Sequence, residues 1–292
     1  MNSIQVNNIT KYYNNNCVLN NVSLNFESNK IYGLLGRNGV GKTTLLNMIT
    51  NRVFPTAGQV LIEDEDVSLS QSALEKVYYM TEKNLYPDGM TINKIFSWTK
   101  EFYKDFDYEY AMKLSRQFGL DTTKKIKSLS TGFKTIAKLI TTLSSNAEIM
   151  IFDEPILGLD ANHRDMFYKR LLESYIENPK TTILSTHIIE EIADILEMVV
   201  IINDETILMH DSVENLLNNA YRVSGVSGDV EKFIEDKQVT NIETMAAYKS
   251  ATIKGIATEQ DMNRIQASNL EISKVELQKL FIYLTQEGGK LS

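Results

Sequence analysis

The apolar run Ile31-Tyr32-Gly33-Leu34-Leu35 passes directly into Gly36-Arg37-Asn38-Gly39-Val40-Gly41-Lys42-Thr43, and from Lys42 onward Leu45, Leu46, Met48 and Ile49 fall on one side of a helix. A strand apolar on both faces, a glycine loop and a helix, in that order, fit the phosphate-loop pattern in the context its mechanism needs. Backbone N–H groups of the loop and helix start are expected to cradle the β- and γ-phosphates of a nucleotide. Lys42 would neutralise their charge, and the Thr43 hydroxyl would hold Mg²⁺. The plain alternative is a glycine turn with a surface lysine, which the flanking strand and helix disfavour.

Two further runs of the same kind, Ile149-Met150-Ile151-Phe152 and Thr181-Thr182-Ile183-Leu184-Ser185, end in polar residues and lead into helical patterns. Strands alternating with helices predict a mostly parallel sheet whose ligands sit beyond the carboxyl ends of the strands. Asp153 and Glu154 close the first run and so reach the same sheet edge as the glycine loop. Asp153 is the expected Mg²⁺ carboxylate, direct or through water, and Glu154 the group that polarises the water attacking the γ-phosphate. Two acids after a strand, taken alone, are equally a solvated turn. His187 follows the second run onto the same edge, which is the reason to expect it near the γ-phosphate; His163 and His210 read as packing or surface residues.

Around these strands the patterning fills in a larger plan. Ile4 and Val6, then Val22, Leu24 and Phe26 before a turn at Ser28-Asn29, alternate as in an antiparallel layer. Between about Thr91 and Leu143 the period is helical, with Ile136, Leu139, Ile140 and Leu143 at i, i+3, i+4, i+7. Asn203-Asp204-Glu205 divides two apolar runs as in a hairpin, and Asp211 with Glu214 suggests a capping box. From about Tyr221 the texture changes to short elements separated by Gly225, Gly228 and Gly255, ending in a helix from Glu276 to Thr285. The expected fold class is α/β: a P-loop NTPase core with a mostly parallel sheet, an antiparallel β layer and a helical subdomain at about 91–143, all within 1–220, plus a small C-terminal α+β extension, 221–292.

Composition narrows the functional classes. At 43% hydrophobic and 23% charged over 292 residues, the chain has material for a large core and an appended unit. Its single cysteine, Cys17, cannot form an internal bridge. Residues 1–8 lack the regions of a signal peptide, and the most apolar stretch, 195–202, is short and carries Glu197, so no membrane span is expected and the cytosol is the default compartment. A formal net charge of −8 argues against a nucleic-acid partner.

Leu129-Ser130-Thr131-Gly132-Phe133, just ahead of the helix bearing Ile136 to Leu143, reads by itself as a helix N-cap. Together with the loop, the acids and His187 it resembles the signature sequence of the ATP-binding-cassette ATPases, and the resemblance covers the chain to about residue 217. It implies that two nucleotide-binding domains pair head to tail, with Ser130 and Gly132 of one contacting the γ-phosphate held by the loop of the other. It further implies that Asn38, Gly39, Gly41, Lys42, Thr43 and Thr44 bind ATP, that Tyr13 rather than Tyr12 stacks on adenine, and that Asp160 in Gly158-Leu159-Asp160 communicates across the dimer. Pro55-Thr56-Ala57-Gly58 matches the turn after the first helix. Three departures stand out. Glu82 occupies the place of a glutamine that usually touches Mg²⁺ and, since a carboxylate can ligate Mg²⁺ at least as well, is expected as a further metal ligand; the signature carries Thr131 and Phe133 where glycine and glutamine are usual, which leaves room for a heterodimer with unequal sites.

One cassette without a fused membrane segment resembles the separate ATPase subunit of exporters such as bacitracin-resistance, lantibiotic-immunity and phenol-soluble-modulin systems. The implied activity is ATP hydrolysis, with ATP and Mg²⁺ as cofactors. The implied partners are a membrane permease and a second cassette, identical or not, and the implied location is the cytoplasmic face of the membrane. The segment from Asn84 through Trp98 is the expected permease contact, with Phe96, Trp98, Phe102 and Tyr103 as an apolar socket or as plain core. Residues 273–281 resemble the tail of such subunits. The rival readings are a non-transport cassette acting on a partner such as the ribosome, which usually has two cassettes, a DNA-repair member, which inserts a long coiled coil, and a regulatory ATP-binding module. Here Lys42 and Asp153 are only 111 residues apart without sustained heptads.

Overall fold

A computed structural model describes residues 2–286. The chain forms two compact units, one made of the described residues up to Ile188 with Asp194–His210, the other of Ile189–Ala193 and the described residues from Asp211 on.

The first unit runs β1 (Asn2–Tyr13), β2 (Asn16–Glu27), β3 (Ile31–Leu35), α1 (Lys42–Ile49), β4 (Ala57–Ile62), β5 (Glu65–Asp66), α2 (Gln71–Glu75) and β6 (Val77–Met80). It continues with α3 (Ile92–Phe102), α4 (Tyr108–Gln117), α5 (Thr131–Ser144), β7 (Ile149–Asp153), α6 (Ala161–Glu177), β8 (Thr181–Thr186), β9 (Met198–Asn203) and β10, which extends through Thr206–Ser212. Two sheets result. One is the antiparallel layer β2-β1-β4-β5; the other has the order β10-β9-β3-β8-β7-β6, in which β9, β3, β8, β7 and β6 are parallel.

Every residue of β3, β7 and β8 is buried, which is why these strands show as continuous apolar runs rather than alternation. β2 shows the contrast: Val22, Leu24 and Phe26 are buried while Ser23 and Asn25 are exposed. These side chains, with Ile4, Val6, Val60 and Ile62, share one core with Leu45, Leu46, Met48 and Ile49 of α1 and with Leu34, Ile151, Ile183 and Val200 of the parallel sheet. The glycine loop and α1 are therefore fixed from two sides. β9 and β10 are joined through Asp204 and Glu205, whose φ values of 45° and 66° are those a tight hairpin requires. The helical segment is α3, α4 and α5, with Thr135–Ser144 of α5 buried throughout.

The second unit contains α7 (Val213–Asn218), β11 (Ala220–Val226), α8 (Ser227–Ile234), β12 (Val239–Met245), β13 (Tyr248–Lys254), α9 (Glu259–Ala267), β14 (Glu271–Lys274) and α10 (Leu277–Gln286). Its strands are ordered β12-β13-β11-β14, all antiparallel, the split βαβ arrangement of ferredoxin-like folds. Tyr221, Val223, Val230, Phe233, Ala251, Ile253, Ile265 and Leu270 form its core. The unit starts at Asp211, before the change of texture near Tyr221, because α7 packs against β11 and α10. The 221–292 extension read from the sequence also includes 287–292, which lie outside the described residues. The capping box expected from Asp211 and Glu214 is corrected: Ser212 is the N-cap of α7 and accepts from the Asn215 amide at 3.1 Å. Asp211 instead accepts from the Ser212 amide at 2.7 Å.

Candidate functional site

α1 begins at Gly41, where φ is 111°, and Gly39 of the same loop has φ of 81°, both in the left-handed region that favours glycine. A Cβ at Gly41 would lie 3.0 Å from Leu19 Cδ2 and 3.1 Å from the Val18 carbonyl oxygen, so the loop sits against β2 too closely for a side chain. Among the described residues no side chain caps α1. Helix geometry leaves the amides of Lys42, Thr43 and Thr44 without an acceptor inside α1, which makes this end an anion site.

The Lys42 side chain is 6% exposed. Its amine donates to the Gly36 and Arg37 carbonyls at 2.7 and 3.2 Å. Burial lowers its pKa, opposed by the charges of Glu154 and Asp153. Beside it opens a cavity of about 470 Å³ lined by Val18, Asn38, Gly39, Gly41, Lys42, Thr43, Thr44, Glu82, Glu154, Leu157 and His187. Most of the loop and sheet-edge residues singled out in the sequence thus line one cavity.

Asp153, 1% exposed at the end of β7, is held by three hydroxyls. Thr43 Oγ1 and Tyr79 Oη donate to Oδ2 at 2.9 and 3.1 Å, and Ser185 Oγ donates to Oδ1 at 2.9 Å. Burial, then the Asp153 charge, pushes the Tyr79 hydroxyl well above its ordinary pKa, so it remains a donor. Glu154 has φ of 49°, a strained conformation for a residue with a Cβ. Its amide donates to the Ser185 carbonyl at 2.9 Å. Its carboxylate lies 3.0 Å from His187 Nδ1 through both oxygens, and the pair leaves the Glu154 side chain 14% and the His187 side chain 41% exposed.

Among the described residues, no group of three or more His, Cys, Asp or Glu side chains could hold a metal ion. The Thr43 hydroxyl and Asp153 carboxylate still fit Mg²⁺, a hard cation usually held by one or two carboxylates with waters and substrate phosphates. The same cavity is lined by Lys42, Thr43 and Thr44 at the start of α1. Glu82 borders this cavity but is exposed. What fixes its loop is Lys138 of α5, whose buried amine donates to the Thr81 and Glu82 carbonyls at 2.8 and 2.6 Å. Burial lowers the Lys138 pKa to about 8.

The remaining candidates lie elsewhere. Ser130 caps α5, accepting from the Phe133 amide at 3.3 Å, and is exposed, as is Thr131. Gly132 is needed where it stands, since a Cβ there would lie 2.7 Å from the Gly158 carbonyl oxygen. Neither residue lines the 470 Å³ cavity. Asp160 caps α6, accepting from the His163 amide at 2.9 Å and facing its ring nitrogen at 2.9 to 3.0 Å. His163 in turn stacks on Phe118 and meets Phe133 edge-on, at centroid distances of 6.1 and 6.2 Å. Tyr13 is 45% exposed, with the Lys11 amine 4.9 Å from its ring centroid, and it too is outside the lining.

A second cavity, about 440 Å³, is walled by Arg52, Tyr78, Tyr79, Leu85, Tyr86, Trp98, Phe102 and Tyr103 among others. Of the aromatic residues expected as a socket, Trp98, Phe102 and Tyr103 line it. Phe96 does not: it is fully buried in the helical core beside Phe106 and Tyr108. Sequence reading missed Tyr79, Ser185 and Lys138. Ser185 left a faint signal, a polar residue in a buried strand, and it is the β8 partner of Asp153.

A family profile described as ABC transporter matches residues 19–157. The chain is 24% identical over 290 residues to ABC transporter ATP-binding protein YtrB of Bacillus subtilis (strain 168), covering 98% of this chain and 99% of that one. It is 26% identical over 230 residues to Lantibiotic transport ATP-binding protein SrtF of Streptococcus pyogenes, covering 74% and 96%. Proteins named for import match at comparable identity. Its fold is similar to a solved structure described as that of an ATP binding subunit of an ABC transporter, with TM-score 0.67 and 20% identity over 73% of this chain and 91% of that one.

Proposed function

We propose, from the premise that this chain carries an ABC transporter ATPase domain and hydrolyses ATP, that it pairs with a second cassette around Mg-ATP and drives a separate membrane permease. Among the described residues no helix is long and apolar enough to cross a membrane, which fits a peripheral subunit at the cytoplasmic face. The observation that carries the site reading is the Glu154–His187 pair at 3.0 Å, one residue beyond the Asp153 carboxylate that takes the Thr43 hydroxyl.

In this reading the loop amides and Lys42 bind the β- and γ-phosphates. Thr43 and Asp153 would hold Mg²⁺, which would supply neutralisation of charge on the phosphate oxygens. Glu154 accepts the proton of the attacking water. His187 fixes the Glu154 carboxylate through Nδ1. The strain at Glu154 is consistent with a functional position. Ser130, exposed, and Gly132, half-buried, both apart from the cavity in their own chain, serve the nucleotide of the partner cassette. Tyr13 stacks on adenine, and Asp160, with His163 and Phe133, forms part of the same dimer face.

The aromatic 440 Å³ cavity is read as the permease contact. Export of peptides or of antimicrobial or toxic amphipathic compounds is the proposed direction, supported by the likeness to the lantibiotic transport protein. The described part of 221–292 is read as an accessory domain. Mass spectrometry of what co-purifies with tagged Glu154→Gln from detergent-solubilised native cells in Mg-ATP tests the assembly. Recovery of a multispanning membrane protein supports it; recovery of ribosomal or other soluble partners alone overturns it.

A further inference from the structure

Tyr79 stands between two places that the fold otherwise keeps apart. Its hydroxyl donates to Asp153 Oδ2 at 3.1 Å, the oxygen that also accepts from Thr43. Its ring is part of the wall of the aromatic cavity, with the Arg52 guanidinium 5.0 Å from the ring centroid. Among the described residues β6 is an edge strand of the parallel sheet and pairs with β7 alone, placing Tyr79 beside Ile151 two residues before Asp153. At 8% exposure the ring has little freedom to move without moving what it touches on either side.

We propose that Tyr79 is a positioning residue that holds the Asp153 carboxylate from the wall of the aromatic cavity, so that the way Asp153 meets a divalent cation is linked to the packing of that wall around Trp98. This rests on the reading of Asp153 as the metal carboxylate. Ser185 anchors one carboxylate oxygen and Thr43 belongs to the phosphate loop, so Tyr79 is the one donor of the three that reaches Asp153 from the cavity side. Outer hydrogen-bond partners of ligating carboxylates commonly change metal affinity by about 10–100-fold when removed.

Tyr79→Phe isolates the hydroxyl because the ring and its packing remain. Trp98, the only tryptophan of the chain, lines the same cavity and reports on it by fluorescence. Binding of a fluorescent ATP analogue in EDTA should agree within about two-fold between wild type and variant, whereas the Mg²⁺ concentration that half-saturates the Mg²⁺-dependent tightening should rise about ten-fold in the variant. Adding Mg²⁺ to the ATP-loaded protein should shift Trp98 emission in wild type and leave it unchanged in Tyr79→Phe. Equal Mg²⁺ half-saturation, or a Trp98 shift that survives in the variant, would overturn the proposal. Weakened binding in EDTA would show a general structural defect and overturn it as well. Wild-type binding indifferent to Mg²⁺ would instead fail at the underlying reading of Asp153, and the proposal with it.

Discussion

The Thr43 hydroxyl donates to Asp153 Oδ2 over 2.9 Å although 110 positions of sequence separate the two residues. The bond joins the first turn of α1 to the carboxyl end of β7. It exists because β3 and β7 flank β8 in one parallel sheet and so deliver their following residues to the same edge. In the proposed reading, phosphate binding and metal binding are therefore one site by topology.

Lys42→Ala should weaken ATP binding at least about 100-fold, the scale of losing charge-assisted contacts to phosphate in a buried setting. Titration with a fluorescent ATP analogue measures it. Affinity near that of wild type would contradict the role given to the loop.

Glu82→Gln should leave the ATPase rate and its Mg²⁺ requirement within about two-fold of wild type, because Glu82 is exposed and its loop is fixed through its backbone by Lys138. Lys138→Met should be the damaging change, costing about 2 kcal/mol by leaving the Thr81 and Glu82 carbonyls without their donor. Parallel rate assays and denaturant unfolding of the two variants distinguish the contributions.

Acid should weaken the second unit in a defined window. Burial alone would raise the pKa of Asp261, but the Lys237 ion pair at 2.6 Å and the Thr258 hydrogen bonds hold it at about 2, below the ordinary 3.8. A depressed carboxylate stabilises the fold at pH values above its unfolded pKa and loses that contribution as pH falls through its folded one. The expected contribution is about 2 kcal/mol, fully present above roughly pH 5 and lost towards pH 2. Hydrogen exchange of β11 and β13 amides in the full chain should show this loss in wild type and not in Asp261→Asn.

The parts of the site that could be read from sequence are those whose physics is local. β3, the glycine loop and α1 are contiguous, and β7 and β8 are buried on both faces, so apolar runs located Asp153, Glu154 and His187 at one edge. The Tyr79 hydroxyl on Asp153 was invisible, because β6 is a four-residue strand whose Tyr78 and Tyr79 carry no period and whose pairing with β7 is non-local. Lys138 was hidden in a helix read by its apolar positions alone. The start of α7 shifted by one residue because the hydroxyl of Ser212, rather than the acid beside it, reaches the helix amide. The ferredoxin-like order of the second unit depends on pairings such as Val223 with both Ala251 and Ile272, which short strands between glycines do not announce.

The central claim is that Glu154, held by His187 next to the Thr43–Asp153 bond, activates water for attack on ATP. Side-by-side binding and hydrolysis assays of Glu154→Gln test it most directly. ATP affinity in the variant is expected within a few-fold of wild type and turnover reduced about 100-fold or more, the usual contribution of a general base. Turnover at the wild-type rate with normal binding would place the base elsewhere and rule out this role for Glu154.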